Sequence, residues 1–151
     1  PVDYPCRAKR LGELKAALAA AGDDRRGLAR SLADAMTDGR AKLYVTHLGL
    51  LARKDHPGLF ADGEYLPLAA TGDKADHVFA FARRSGGASA VVAVPRLVGK
   101  LLGGEPRLPL GDVWGDTRLS LPEGAGWRNV FTGEHLPGGD RPAAELFGQF
   151  P

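Results

Sequence analysis

The chain has one cysteine and one methionine in 151 residues. A lone Cys6 excludes an intrachain disulfide and a thiolate metal cluster, and it fits a reducing, cytoplasmic setting. No apolar run approaches the roughly 18 residues that a membrane span requires. The N-terminus carries no basic-then-apolar signal pattern. A large excess of one charge is also missing: the net value is +2, and the lysines and arginines are scattered, so neither nucleic acid nor a membrane surface is expected as a partner. The chain starts at Pro1 and its one methionine is Met36, so we expect a piece of a longer protein.

Catalytic signatures are equally scarce. GGASA lacks the second glycine of a nucleophile elbow. In LVGKLLGG, Lys100 is followed by Leu101, where a phosphate loop needs Ser or Thr. His47, His56, His77 and His135 have no zinc-type spacing, so no metal and no cofactor are expected. His47 reads as a hydrogen-bonded core histidine, and His77 and His135 as strand-surface or loop residues. Arg83, Arg84, Arg96 and Lys100 read as solvated strand ends.

What is present is ordinary globular material, 44% hydrophobic and 25% charged. Residues 1–61 read as helices and 62–151 as strands. Leu11, Leu14, Leu18 and Ala21 form a helical stripe ended by Gly22, and Leu28, Leu32 and Met36 form a second, with Asp23 and Asp24 able to cap it. In RAKLYVTHLGLLARKDH the apolar face is wide (Leu43, Tyr44, His47, Leu48, Leu50, Leu51), which predicts the most deeply packed helix. Pro57 ends it, and PGLF makes a turn. Strands follow at 65–68, 77–83, 89–94, 117–121, 127–133 and 138–150. HVFAFARR-SGGA-SAVVAV is the clearest hairpin, and both faces of its first strand are apolar, as in an interior strand. EGAG and LPGGDRP are turns. Six short strands at this spacing predict an antiparallel sandwich. The fold class expected is therefore α+β.

PLGDVWGDTRLSLP places Trp114 beside Asp112 and Asp116, the residue types of a sugar site. Retaining glycoside chemistry needs carboxylates about 5–5.5 Å apart. In a surface turn both would stay solvated, with nothing to raise one pKa. The scaffold reading is favoured: Asp116 bonds turn amides, Trp114 covers the core edge and Trp127 anchors it. A carbohydrate-binding module using Trp114 or Trp127 as a stacking platform is the alternative. An interaction domain with an exposed helical face is a third.

The ordered series PVDY, DGRAKLY, HPGLF, ADHVFAFAR, VWGDTRL and WRNVFTG, spread over nearly all of the chain, resembles the C-terminal part of malto-oligosyltrehalose synthases in the alpha-amylase superfamily. The resemblance implies that residues 1–61 close a (β/α)8 catalytic barrel and that 62–151 form a C-terminal β-sandwich; the C-terminal domain of another glycosidase of that superfamily is the neighbouring reading. In that family the whole enzyme converts the reducing-end α-1,4 link of a malto-oligosaccharide to an α,α-1,1 link. An aspartate nucleophile, a glutamate acid and a glycosyl-enzyme are implied, with water kept out. Those catalytic carboxylates map upstream of Pro1, so no catalytic residue is assigned here. Asp3 and Tyr4, in PVDY, match the segment after the last catalytic aspartate and are the substrate-binding candidates. The implied partners are malto-oligosaccharide, met through the full-length enzyme, and the missing barrel.

Overall fold

The structure is a computed structural model that describes residues 3–124 and 126–151. Pro1 and Val2 of the PVDY segment and Ala125 of the EGAG turn lie outside the described residues. The remainder is an α+β arrangement of helices followed by antiparallel strands.

Helix α1 (Tyr4–Ala21) starts three residues earlier than the alanine-rich stretch suggests. The Asp3 side chain accepts the Cys6 N–H at 2.8 Å, and Pro5 needs no donor partner in the first turn. Leu11, Leu14, Leu18 and Ala21 are the sheltered side, as their spacing predicts. Gly22, at φ 61, stops the helix with its N–H on the Leu18 carbonyl. Helix α2 (Arg26–Asp34) buries Ala29, Leu32 and Ala33. It ends two residues before Met36, and a 3-10 turn over Met36–Asp38 rotates that methionine into solvent. Asp24 fixes the entry to α2. The Arg26 side chain and then its backbone N–H bond this carboxylate and lower its pKa to about 2.

Helix α3 (Arg40–Asp55) buries Ala41, Tyr44 and Leu48. The wide apolar face expected of it is only half used: Leu50 is 61% exposed, and Val45 and Leu51 are also open. In proportion to its length α2 is packed more deeply. PGLF is more than a turn, since α4 (Pro57–Ala61) forms with Pro57 in its first turn and Leu59 buried.

Strands β1 (Glu64–Leu68), β3 (Val78–Ser85) and β4 (Ala88–Pro95) make one antiparallel sheet in the order β1-β3-β4. The β3–β4 hairpin turns through Gly86 and Gly87, at φ 54 and 83. Two positive values are what a two-residue turn needs to match strand twist, and glycine supplies them without a Cβ clash. Strands β2 (Ala70–Thr71), β5 (Arg118–Leu121) and β8 (Gly139–Pro142) form a second sheet, and β6 (Trp127–Arg128) pairs with β7 (His135–Leu136). Ala80, Leu119 and Leu121 are the buried centre between the first two sheets, with Leu68, Val78, Val91 and Ala93 packed around them. β3 is interior, as expected, but only its alanine face is covered. Phe79 is 45% exposed, beside Phe81, which stacks on Tyr65 at 5.0 Å.

Two expected strands are shorter than the sequence suggests. After Arg128, the Asn129 side chain accepts the Phe131 and Thr132 N–H groups at 2.8 and 3.2 Å. That side-chain turn competes with the ladder and ends β6. After Pro142 the residues AAEL take their helical preference as a short α5 (Ala143–Leu146).

The helical core includes the far end of the chain. Leu14, Ala29, Leu32, Tyr44 and Leu48 share one cluster with Phe150, and Leu108 and Phe131 pack against it. The Tyr44 hydroxyl donates to the Phe131 carbonyl, and Arg25 bonds the carbonyls of Gly22 and Val130 at 3.1 Å each.

Candidate functional site

The stretch with the sugar-like composition is structural. Gly111–Trp114 is a 3-10 turn, and Trp114 is 0% exposed. Its indole N–H donates to the Pro109 carbonyl at 2.8 Å, and its ring lies 4.9 Å from Phe147. A sealed ring offers no face to a saccharide, so the stacking-platform reading of Trp114 is corrected. Trp127 is half-buried, packed against the inter-sheet core with its N–H on the Pro122 carbonyl at 3.2 Å. Asp112 is exposed. Asp116 is exposed too, and it accepts the Asp73 N–H at 2.9 Å, the turn-amide role expected of it.

Asp3 and Tyr4 sit at the start of α1. Asp3 is the helix cap, and Tyr4 is 72% exposed. Neither lines a depression described below. Asp3→Ala should cost about 1 kcal/mol through loss of the cap; thermal unfolding of the variant, with Asp3→Asn as the cap-preserving control, checks it.

Of the histidines, His47 is half-buried and makes no side-chain hydrogen bond among the described residues, so the satisfied-core reading is corrected. His77, expected at a strand surface, is buried, with Nδ1 3.3 Å from the Arg96 carbonyl oxygen. Arg83 is likewise more than a solvated strand end. Its guanidinium donates to the Phe60 carbonyl at 2.6 Å and ties the end of α4 to β3. Among the described residues, no three His, Cys, Asp or Glu converge as metal ligands would. No helix there is long and apolar enough to cross a membrane.

Two depressions among the described residues bear on a site. One, of about 390 Å³, lies between the 72–77 turn and residues 96–100; Asp73, Lys74, Asp76, His77, Arg96 and Lys100 line it. The other, about 220 Å³, is apolar and bordered by Met36, Val45, Leu108 and Phe150. Sequence reading missed the first because its walls are far apart in the chain. The local sign was a pair of cations, Arg96 and Lys100, four positions apart.

The described residues thus define an α+β arrangement in which Trp114, Trp127 and Asp116 are held in packing and turn contacts. No protein-family model matches the chain. Over 110 residues, 73% of its length, it is 37% identical to a protein of Mycobacterium tuberculosis (strain CDC 1551 / Oshkosh) described as "Putative maltooligosyl trehalose synthase". The protein of strain ATCC 25618 / H37Rv carrying the same description matches to the same extent. The structure of maltooligosyltrehalose synthase from Arthrobacter ramosus superposes on 75% of the chain with a TM-score of 0.57 and 31% identity. The chain spans 13% of the length of each of these proteins. It is a relative of the maltooligosyl trehalose synthases over that small part.

Proposed function

We propose that this chain is the C-terminal part of a malto-oligosyltrehalose synthase and serves it as scaffold. In this reading residues 1–61 complete the catalytic barrel, and 62–151 form the sandwich domain beside it. The whole enzyme isomerises the reducing-end α-1,4 link of a cytoplasmic malto-oligosaccharide to α,α-1,1 by retaining transfer. The observation that carries the reading is the 37% identity over 110 residues, combined with coverage of only 13% of the relatives. The chemistry of the described residues agrees with a supporting role. Their ion-paired carboxylates, such as Asp24, Asp38 and Asp140, are bound to arginines at the surface, an environment opposite to that of a general acid. Asp3 and Tyr4 would then contribute at the edge of the substrate path, a role requiring the rest of the enzyme.

The test is direct. The purified chain, incubated with maltoheptaose, should form no product lacking a reducing end and should release no glucose. Turnover of either kind would end the scaffold reading. Unchanged tryptophan fluorescence on adding maltoheptaose is expected as well, whereas a saccharide-dependent change abolished by Trp127→Ala would favour a binding module.

A further inference from the structure

We propose that the cavity between residues 72–77 and 96–100 binds a phosphorylated sugar, an assignment independent of the scaffold function above.

Both walls are held by bonds outside the cavity. The Arg96 N–H donates to the His77 carbonyl at 2.8 Å. The opposite turn hangs from the neighbouring segment, with the Asp73 N–H on Asp116 Oδ1 and the Lys74 N–H on Thr117 Oγ1, each at 2.9 Å. Thr117 is itself buried, so the turn rests on a fixed post. At the rim Leu97 adopts φ 51 and ψ 38, the left-handed region, and is the one non-glycine residue with positive φ among those described. Bulky side chains disfavour that region, and such strain persists only where surrounding structure imposes it. Here it keeps an apolar side chain half exposed over a polar cavity.

The lining carries unspent charge. Among the described residues, some carboxylates elsewhere pair with arginines, as in Arg118–Asp140 and Arg141–Glu145. Lys74, Arg96 and Lys100 form no such pair, although Asp73 and Asp76 share their cavity. Three cations facing a common space suit a phosphate group, which accepts several charge-assisted hydrogen bonds at once. The acceptors suit hydroxyls. A carbonyl only accepts, so the contact to Arg96 oxygen puts the proton on His77 Nδ1, and Nε2 of the neutral ring is left as an acceptor. Nε2 has no protein partner among the described residues, and it is not sealed away from solvent. With Asp73 and Asp76 it can receive hydroxyl protons, while Leu97 covers a C–H face. The volume, about 390 Å³, falls in the range of roughly 300–1,000 Å³ usual for small-molecule sites.

Amide chemical shifts of the chain, titrated separately with glucose 6-phosphate, inorganic phosphate and glucose, test this. Glucose 6-phosphate should shift Leu97 and Lys100 saturably at millimolar concentration, and more tightly than inorganic phosphate; glucose should leave them unmoved. Arg96→Ala with Lys100→Ala should weaken binding by roughly tenfold or more. Both side chains are exposed and make no bond among the described residues, so the fold is expected to survive. Asp73→Ala with Asp76→Ala, which removes two of the three hydroxyl acceptors, should narrow the preference over inorganic phosphate. Absence of saturable shifts, shifts that persist in the Arg96/Lys100 variant, or equal affinity for inorganic phosphate would each overturn the assignment.

Discussion

Trp114→Ala should destabilise the fold by about 3–5 kcal/mol, the range for emptying a buried aromatic site. The side chain is fully enclosed, in one cluster with Ala143 and Phe147. For a chain of this size that corresponds to a fall in Tm of roughly 10 °C. Urea unfolding gives the free energy directly. Trp114→Phe separates the two contributions, since it keeps most of the apolar volume but leaves the Pro109 carbonyl without its donor, a loss of about 1–3 kcal/mol. A Trp114→Ala variant within 1 kcal/mol of the parent would show that the indole is not the anchor its burial indicates.

The second large effect is expected at Tyr44, also 0% exposed. Its ring meets Phe150 edge-on at 5.7 Å and Phe131 at 6.1 Å, and its hydroxyl serves the Phe131 carbonyl. Tyr44→Ala should cost about 3–5 kcal/mol, and Tyr44→Phe about 1–3 kcal/mol because an enclosed acceptor is orphaned. Burial raises the phenol pKa. The neutral form is therefore favoured in the folded state, so this contribution is complete below the unfolded value of about 10 and is lost as pH rises through the higher folded value. The Tyr44→Phe penalty should accordingly shrink in strongly alkaline solution. Because the contacts of Tyr44 lie in the last quarter of the chain, the variant should lower one shared unfolding transition. A helix-only transition, with the strands melting unchanged, would contradict the mixed core.

Local physics explains what was readable in advance. The stripe Leu11, Leu14, Leu18 and Ala21 lies on one helix face by geometry alone, and Gly86–Gly87 turns the hairpin without help from the rest of the fold. Met36 kept the same period yet points outward, because the period ended with the helix at Asp34. The strand expected through residues 127–133 failed at Asn129, whose side chain outcompetes a neighbouring strand for two N–H groups. Strands β2 and β7, two residues each, exist only through their partners. The roles of His77 and Arg83 were hidden for a related reason. Each is defined by a carbonyl about twenty positions away, and neither spacing has a signature. The framework role of Trp114 follows from the solvated setting expected of Asp112 and Asp116, but the extent of its burial depends on Phe147, which the alternating pattern places in a strand.

Phe150, Phe131 and Leu108 close a core whose other members come from the first third of the chain. During synthesis the helices therefore appear long before the rings that shield Tyr44 and Leu48. Until residue 150 has been added, those side chains lack part of their native cover, and contacts this distant in sequence form slowly. That interval is an opening for chaperone binding or for clumping of nascent chains.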